Sequence, residues 1–204
     1  MRVVRDAETT RTRWANDGGW TREIAREPAD GAPFEWRVSV ADVESDGPFS
    51  VFDGYDRALV LLSGAGMDLH FADTGAITAL RPEEPRARFA GDTPVAAVLV
   101  NGPTTDFNLI WRRDEWVATA RNFDGVQEIG AGGGLNVIVG GYVVSGTATL
   151  LNGVSAHAGD TFLSEPGERL HLELDGSLVG FLFAPHAAGE RGLTGLTVVP
   201  KQGG

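Results

Sequence analysis

Apolar and polar residues alternate with a period of two along much of this chain, and that period dictates strands. Phe34, Trp36, Val38 and Val40 fall on one face of a strand; Glu35, Arg37, Ser39 and Ala41 fall on the other. Met67, Leu69 and Phe71 alternate with Asp68 and His70, and Leu170, Leu172 and Leu174 with His171, Glu173 and Asp175. Short β-rich runs recur at 1–5, 20–26, 57–63, 76–81, 94–100, 107–113, 115–122, 135–144, 147–151, 160–164 and 178–184. Turn signals such as Asp53-Gly54, Ser63-Gly64, Asn152-Gly153 and Asp175-Gly176 separate many of them. No amphipathic helix of ten or more residues is evident. This pattern predicts an all-β sandwich or barrel, and an up-and-down meander or a jelly roll satisfies it equally.

With 204 residues, the chain can form one large domain or two small fused ones. It has no cysteine, which excludes disulfides, thiolate nucleophiles and zinc–thiolate sites. Lys201, in a glycine-rich tail, is the single lysine, so a Schiff-base lysine inside the fold is excluded. The formal net charge of −11 and the absence of a basic run argue against a nucleic-acid partner. No apolar run approaches the roughly 20 residues of a membrane helix, and residues 1–17 contain no apolar signal core. A cytoplasmic protein without a membrane partner is expected.

Metal and nucleotide sites find little support. Histidines two residues apart on a strand would project into one barrel lumen and could hold a metal together. His70 stands alone; His171 and Glu173 share a face, but His157 sits at a turn, and no metal or other cofactor is expected. The run Gly130-Ala-Gly132-Gly133-Gly134 precedes a strand-like segment, not a helix, and reads as a turn. None of the serines lies in a nucleophile elbow. All five tryptophans fall in the first 116 residues; most read as core, with a ring-stacking platform as the alternative.

Several segments carry a family likeness. They are Trp14-Ala-Asn16-Asp-Gly18-Gly19-Trp-Thr21-Arg-Glu23-Ile24, Phe34-Glu-Trp36-Arg37-Val-Ser39-Val-Ala41, Asp46-Gly47-Pro48-Phe49-Ser50 and Asp56-Arg57. Phe89-Ala-Gly91-Asp92-Thr-Pro94 and Asp106-Phe107-Asn108-Leu-Ile-Trp111-Arg112-Arg113 continue it. The chain resembles the HutD/Ves family, closely over the first 115 residues or so and in outline beyond. That resemblance implies two cupin-like (RmlC-like jelly-roll) β-barrel halves in one chain, and a link to histidine utilisation. An internal echo agrees: Leu61-Leu62-Ser63-Gly64 compares with Val143-Val144-Ser145-Gly146, and Gly91-Asp92-Thr93 with Gly159-Asp160-Thr161. The expected division is 1–122, carrying a ligand pocket, and 123–204, structural with a disordered tail.

The resemblance places the N-terminal strands beside a barrel opening, where Asn16, Thr21, Glu23, Arg37 and Ser39 form a polar group. Asn16 before Gly18-Gly19 suggests a tight turn. Thr21 and Glu23 share a face, as do Arg37 and Ser39. The planar fork of Arg37 suits a carboxylate, with neutral groups fixing its orientation. A purely structural Glu23–Arg37 pair is the alternative. Arg57, Asn108 and Arg113 are further candidates; Asp56 and Asp106 read as turn caps. Three functions follow as expectations. One is metal-independent binding of a small carboxylate, with a regulatory or flux-sensing role implied by the family link, for example toward urocanate or formylglutamate. The second is a metal-free isomerase or hydrolase using Glu23 as general base, although Arg37 beside it would oppose a raised pKa. The third is an interaction module that dimerises through strand edges.

Overall fold

The computed structural model describes residues 1–30, 33–131, 136–188 and 196–199. The glycines expected to turn at 132–134, and the tail expected to be disordered beyond 199, lie outside the described residues. The chain divides into two compact units, Thr10–Asp114 on one hand and Met1–Thr9 with Glu115–Gly204 on the other. Strand β1 (Arg2–Val4) pairs antiparallel with Thr161–Leu163, which is why the first nine residues belong with the second unit. Local pattern gives no sign of that exchange, and a division at 122/123 misses it.

The Thr10–Asp114 unit contains two sheets. The larger has six strands in the order β2-β3-β4-β11-β6-β9: β2 (Arg11–Arg13), β3 (Gly19–Glu27), β4 (Trp36–Val43), β11 (Thr104–Arg112), β6 (Tyr55–Ser63) and β9 (Arg86–Ala90). The smaller has the order β5-β10-β7-β8: β5 (Gly47–Pro48), β10 (Val95–Leu99), β7 (Met67–Phe71) and β8 (Ile77–Leu80). Leu59, Leu61, Met67, Leu69, Leu80, Phe89, Val95 and Ala97 are buried together and join the two sheets in one core.

Register decides which side chains face this interior. Asn108 is opposite Ser39 and Leu59, Asp106 opposite Ala41 and Leu61, and Ile110 opposite Arg37 and Arg57. Glu23 is opposite Ser39 and Thr21 opposite Ala41. Cross-strand partners project to the same side, so these residues share one face. Trp36, Val38, Val40, Phe107, Leu109 and Trp111 are buried on the reverse face. The alternation expected for Trp36–Ala41 is therefore present. Phe34 departs from it, because β4 begins at Trp36 and the Phe34 ring packs with Phe52, Tyr55 and Ile110 on the interior side.

The second unit has one sheet, with order β1-β15-β13-β16-β12-β17 and β14 beside β13. Its strands are β12 (Trp116–Ala131), β13 (Ile138–Leu150), β14 (Ser155–His157), β15 (Thr161–Leu163), β16 (Leu170–Pro185) and β17 (Leu196–Val199). The runs expected as separate strands at 135–144 and 147–151 are one strand, β13, and Asp175-Gly176 lies inside β16. Gly146, Gly176 and Gly125 pair across three adjacent strands, all with positive φ. Glycine here bends the strands and does not end them. Among the described residues, both units' sheets are open paths with edge strands, so the closed barrels expected from sequence are replaced by open sheets. No helix among them is long and apolar enough to cross a membrane.

Candidate ligand-binding site

A cavity of about 560 Å³ opens within the Thr10–Asp114 unit. Its floor is the interior face of β3, β4, β6 and β11. Asn16, Thr21, Glu23, Arg37, Ser39, Arg57 and Asn108 all line it, as do Asp106, Trp14, Phe49 and Phe52.

The deepest polar groups form a relay. Arg57 Nη2 donates to Asn108 Oδ1 at 2.8 Å, and Asn108 Nδ2 donates to Asp106 Oδ1. Asn108 is 4% exposed and Asp106 1%. Only this amide orientation presents oxygen to the cation and N–H to the anion, so both charges hold Asn108 in place. The Arg57 guanidinium is also enclosed by rings, 5.1 Å from Phe49, 5.3 Å from Phe89 and 5.7 Å from Phe52. Burial lowers Arg57 to about 10; Asp106 opposes that shift and Arg37 adds to it. Burial pushes the Asp106 carboxyl up to about 7; Arg57 and the Asn108 hydrogen bond pull it back, and Asp42 adds to the rise. Asp106 Oδ2 and Arg57 Nε are buried without a hydrogen-bond partner.

Arg37 is different. Its guanidinium lies 5.2 Å from both Phe34 and Phe52, and burial lowers its pKa, with Glu23 opposing and Arg26 adding. Among the described residues it makes no hydrogen bond, its buried Nε included, and no ion pair within 4.0 Å. The structural Glu23–Arg37 pair, the alternative to a pocket, is thus not formed, and Glu23 stands exposed at the rim. Its Coulombic pull on Arg37 persists without a contact.

The remaining candidates divide. Thr21 Oγ1 accepts from Trp14 Nε1 at 2.7 Å, which makes Trp14 a cavity wall. Asn16 Oδ1 accepts from Gly18 N–H at 3.0 Å, the tight turn expected there. Ser39 is 2% exposed and sits on the floor. Arg113 does not line the cavity: it donates to Tyr55 O at 2.6 Å and pairs with Asp92 at 2.6 Å and Asp56 at 3.1 Å. Its donors serve the scaffold. Asp106 reads in the sequence as a turn cap, yet it lies within β11. Its signal was the i, i+2 spacing with Asn108 inside an apolar strand. Elsewhere, His171 Nε2 lies 3.5 Å from Glu128, and no group of three metal-ligating side chains occurs among the described residues.

A model of the HutD family matches residues 6–180. The chain belongs to the HutD family. A Pseudomonas putida relative, an uncharacterised 21.2 kDa protein in the hutC 3′ region, is 37% identical over 130 residues, 63% of this chain and 67% of that one. HutD from Pseudomonas fluorescens SBW25, in a formate condition, superposes with TM-score 0.77 at 30% identity, covering 90% of this chain and 98% of that chain. A conserved protein of unknown function from Pseudomonas aeruginosa PAO1 gives TM-score 0.77 at 30% identity, over 89% and 97%. This HutD-family chain is therefore all-β with a cupin-like fold, in a family linked to the histidine utilisation locus.

Proposed function

We propose that the cavity binds a small carboxylate without a metal, as a regulatory or flux-sensing step linked to histidine utilisation. One observation carries this reading: Arg37 lines the cavity, is partly desolvated, and finds no acceptor among the described residues. A desolvated guanidinium is costly to hold and gains most from a bidentate carboxylate. Thr21, Ser39 and Asn16 supply neutral groups around it, and Trp14, Phe49 and Phe52 form an aromatic wall. Reading the two units as a bicupin pair, with only Thr10–Asp114 carrying a site, belongs to the same proposal, as do a cytoplasmic location and a homodimer.

The test is a thermal-shift screen of small carboxylates. A ligand at 100 times its Kd stabilises by about 2.7 kcal/mol. Arg37→Ala is expected to abolish the shift, and a shift of unchanged size in the variant would remove Arg37 from the site.

A metal-free enzyme is the second reading, and here Asp106 replaces Glu23 as the general base. Glu23 is exposed at the rim, whereas Asp106 is buried on the cavity floor and burial pushes its carboxyl up to about 7, where acid–base groups act best. NMR of bound carboxylates decides between the two: turnover that Asp106→Asn removes favours the enzyme, and unaltered ligand favours the binder.

A further inference from the structure

A cavity that receives a carboxylate contains a carboxylate of its own. Asp106 is 1% exposed and lines the floor. One oxygen is satisfied by Asn108 Nδ2, and the other, Oδ2, is buried with no donor among the described residues. Asn108 cannot supply a second bond by turning over, because its oxygen is committed to Arg57. Buried acceptors are normally satisfied, and one left open beside a cavity calls for a donor from the occupant. A second anionic group placed there would meet like charge at close range.

We propose that Asp106 Oδ2 is the acceptor for a hydrogen-bond donor on the guest, so that the site selects small carboxylates carrying an N–H or O–H at the end remote from the carboxylate. Azole and amide N–H groups fit this class; plain dicarboxylates do not. The inference rests on the carboxylate reading of the same cavity, with Arg37 holding the anionic end and Asp106 the donor end. A site whose buried acceptor would be left unpaired rejects analogues lacking the donor.

Matched rings test it. Pyrrole-3-carboxylate and furan-3-carboxylate have nearly the same shape and differ in N–H against O. The pair 3-(pyrrol-3-yl)propanoate and 3-(furan-3-yl)propanoate repeats the comparison with a longer reach. Calorimetric titration at pH 8, where Asp106 is ionised, is expected to show the pyrrole member of at least one pair binding about tenfold tighter or more. Succinate is expected to bind more weakly than that pyrrole. Equal affinities within both pairs, or tighter furans, overturn the donor assignment and leave the carboxylate reading standing. No binding by any of them overturns both. In Asp106→Asn, Asn108 still donates to the remaining oxygen, so the new amide N–H₂ occupies the Oδ2 position. The pyrrole advantage is then expected to fall to about one or to invert, and a tenfold advantage that survives refutes the proposal. If that variant does not fold, the wild-type pairs decide alone.

Discussion

Asn108 stands between a cation and an anion, and its two amide atoms serve both. Removing it strands Arg57 and Asp106 in the interior, since neither has another side-chain hydrogen-bond partner among the described residues. Asn108→Leu is expected to cost about 3 kcal/mol in urea unfolding, the scale of breaking a buried charged network. Arg37→Met should behave oppositely. It removes a desolvated cation that has only ring contacts, so stability should stay within about 1 kcal/mol while carboxylate binding is lost. Asp106 adds a pH signature. Its folded pKa of about 7 lies above the unfolded value of about 3.9. Its contribution is therefore greatest below about pH 4 and is lost as pH rises to about 7. The stability of wild type minus that of Asp106→Asn should fall across this window by up to about 1.4 kcal/mol per unit and level off above it. Urea midpoints at pH 4.5, 5.5, 6.5 and 8 would show this, and a flat difference would contradict it. These residues were only half legible in the sequence. The spacing of Asp106 and Asn108 is visible, but burial of the carboxylate depends on Arg57, which is distant in the chain.

At the scale of elements, alternation was the reliable signal and glycine the misleading one. The strand through Trp36–Ala41 places Arg37 and Ser39 inward as the period of two requires. On β3 a bulge between Glu23 and Ala25 keeps Glu23 opposite Ser39 but brings Arg26 opposite Arg37. Nothing in the local composition announces that extra residue, yet it adds a like charge to the unpaired cation of the cavity. In the second unit, Gly176 was legible as a turn residue but not as a mid-strand bend, since both uses exploit positive φ. A Cβ at Gly146 would lie 2.0 Å from Asp175 O, and one at Gly176 would lie 2.1 Å from Ser145 O. Gly125 has nothing within 4 Å. Gly146→Ala and Gly176→Ala are thus expected to destabilise by about 3 kcal/mol or more, through backbone clash added to φ strain. Gly125→Ala meets φ strain alone, about 1 kcal/mol. Chemical denaturation of the three variants would separate the two effects, and equal losses would argue against a bend that depends on close backbone approach.

For the molecule as a whole, family and fold class were readable because the aromatic, glycine and arginine positions of the first half carry them. The grouping of residues 1–9 with the second unit was not, because a three-residue edge strand has no periodicity to betray its partner. Net charge sets the remaining problem. A chain at −11 repels an anion at long range, and screening leaves only local fields to attract it within about 10 Å. Arg37 and Arg57 provide that local field inside Thr10–Asp114. In the second unit, the hollow edged by Met1, Glu168, Arg169 and His171 has its Met1 amine paired with Glu168 at 2.5 Å and His171 beside Glu128, while Arg169 is exposed, where water and salt screen its charge. Binding should therefore be confined to one unit. Under native conditions, a saturating carboxylate is expected to slow amide exchange locally in β3, β4, β6 and β11, which carry the cavity floor. Protection in β13 and β16 should change little on the timescale of local opening. Comparable slowing in both units would mean that the second also holds the anion, and the division into a binding half and a structural half would fall.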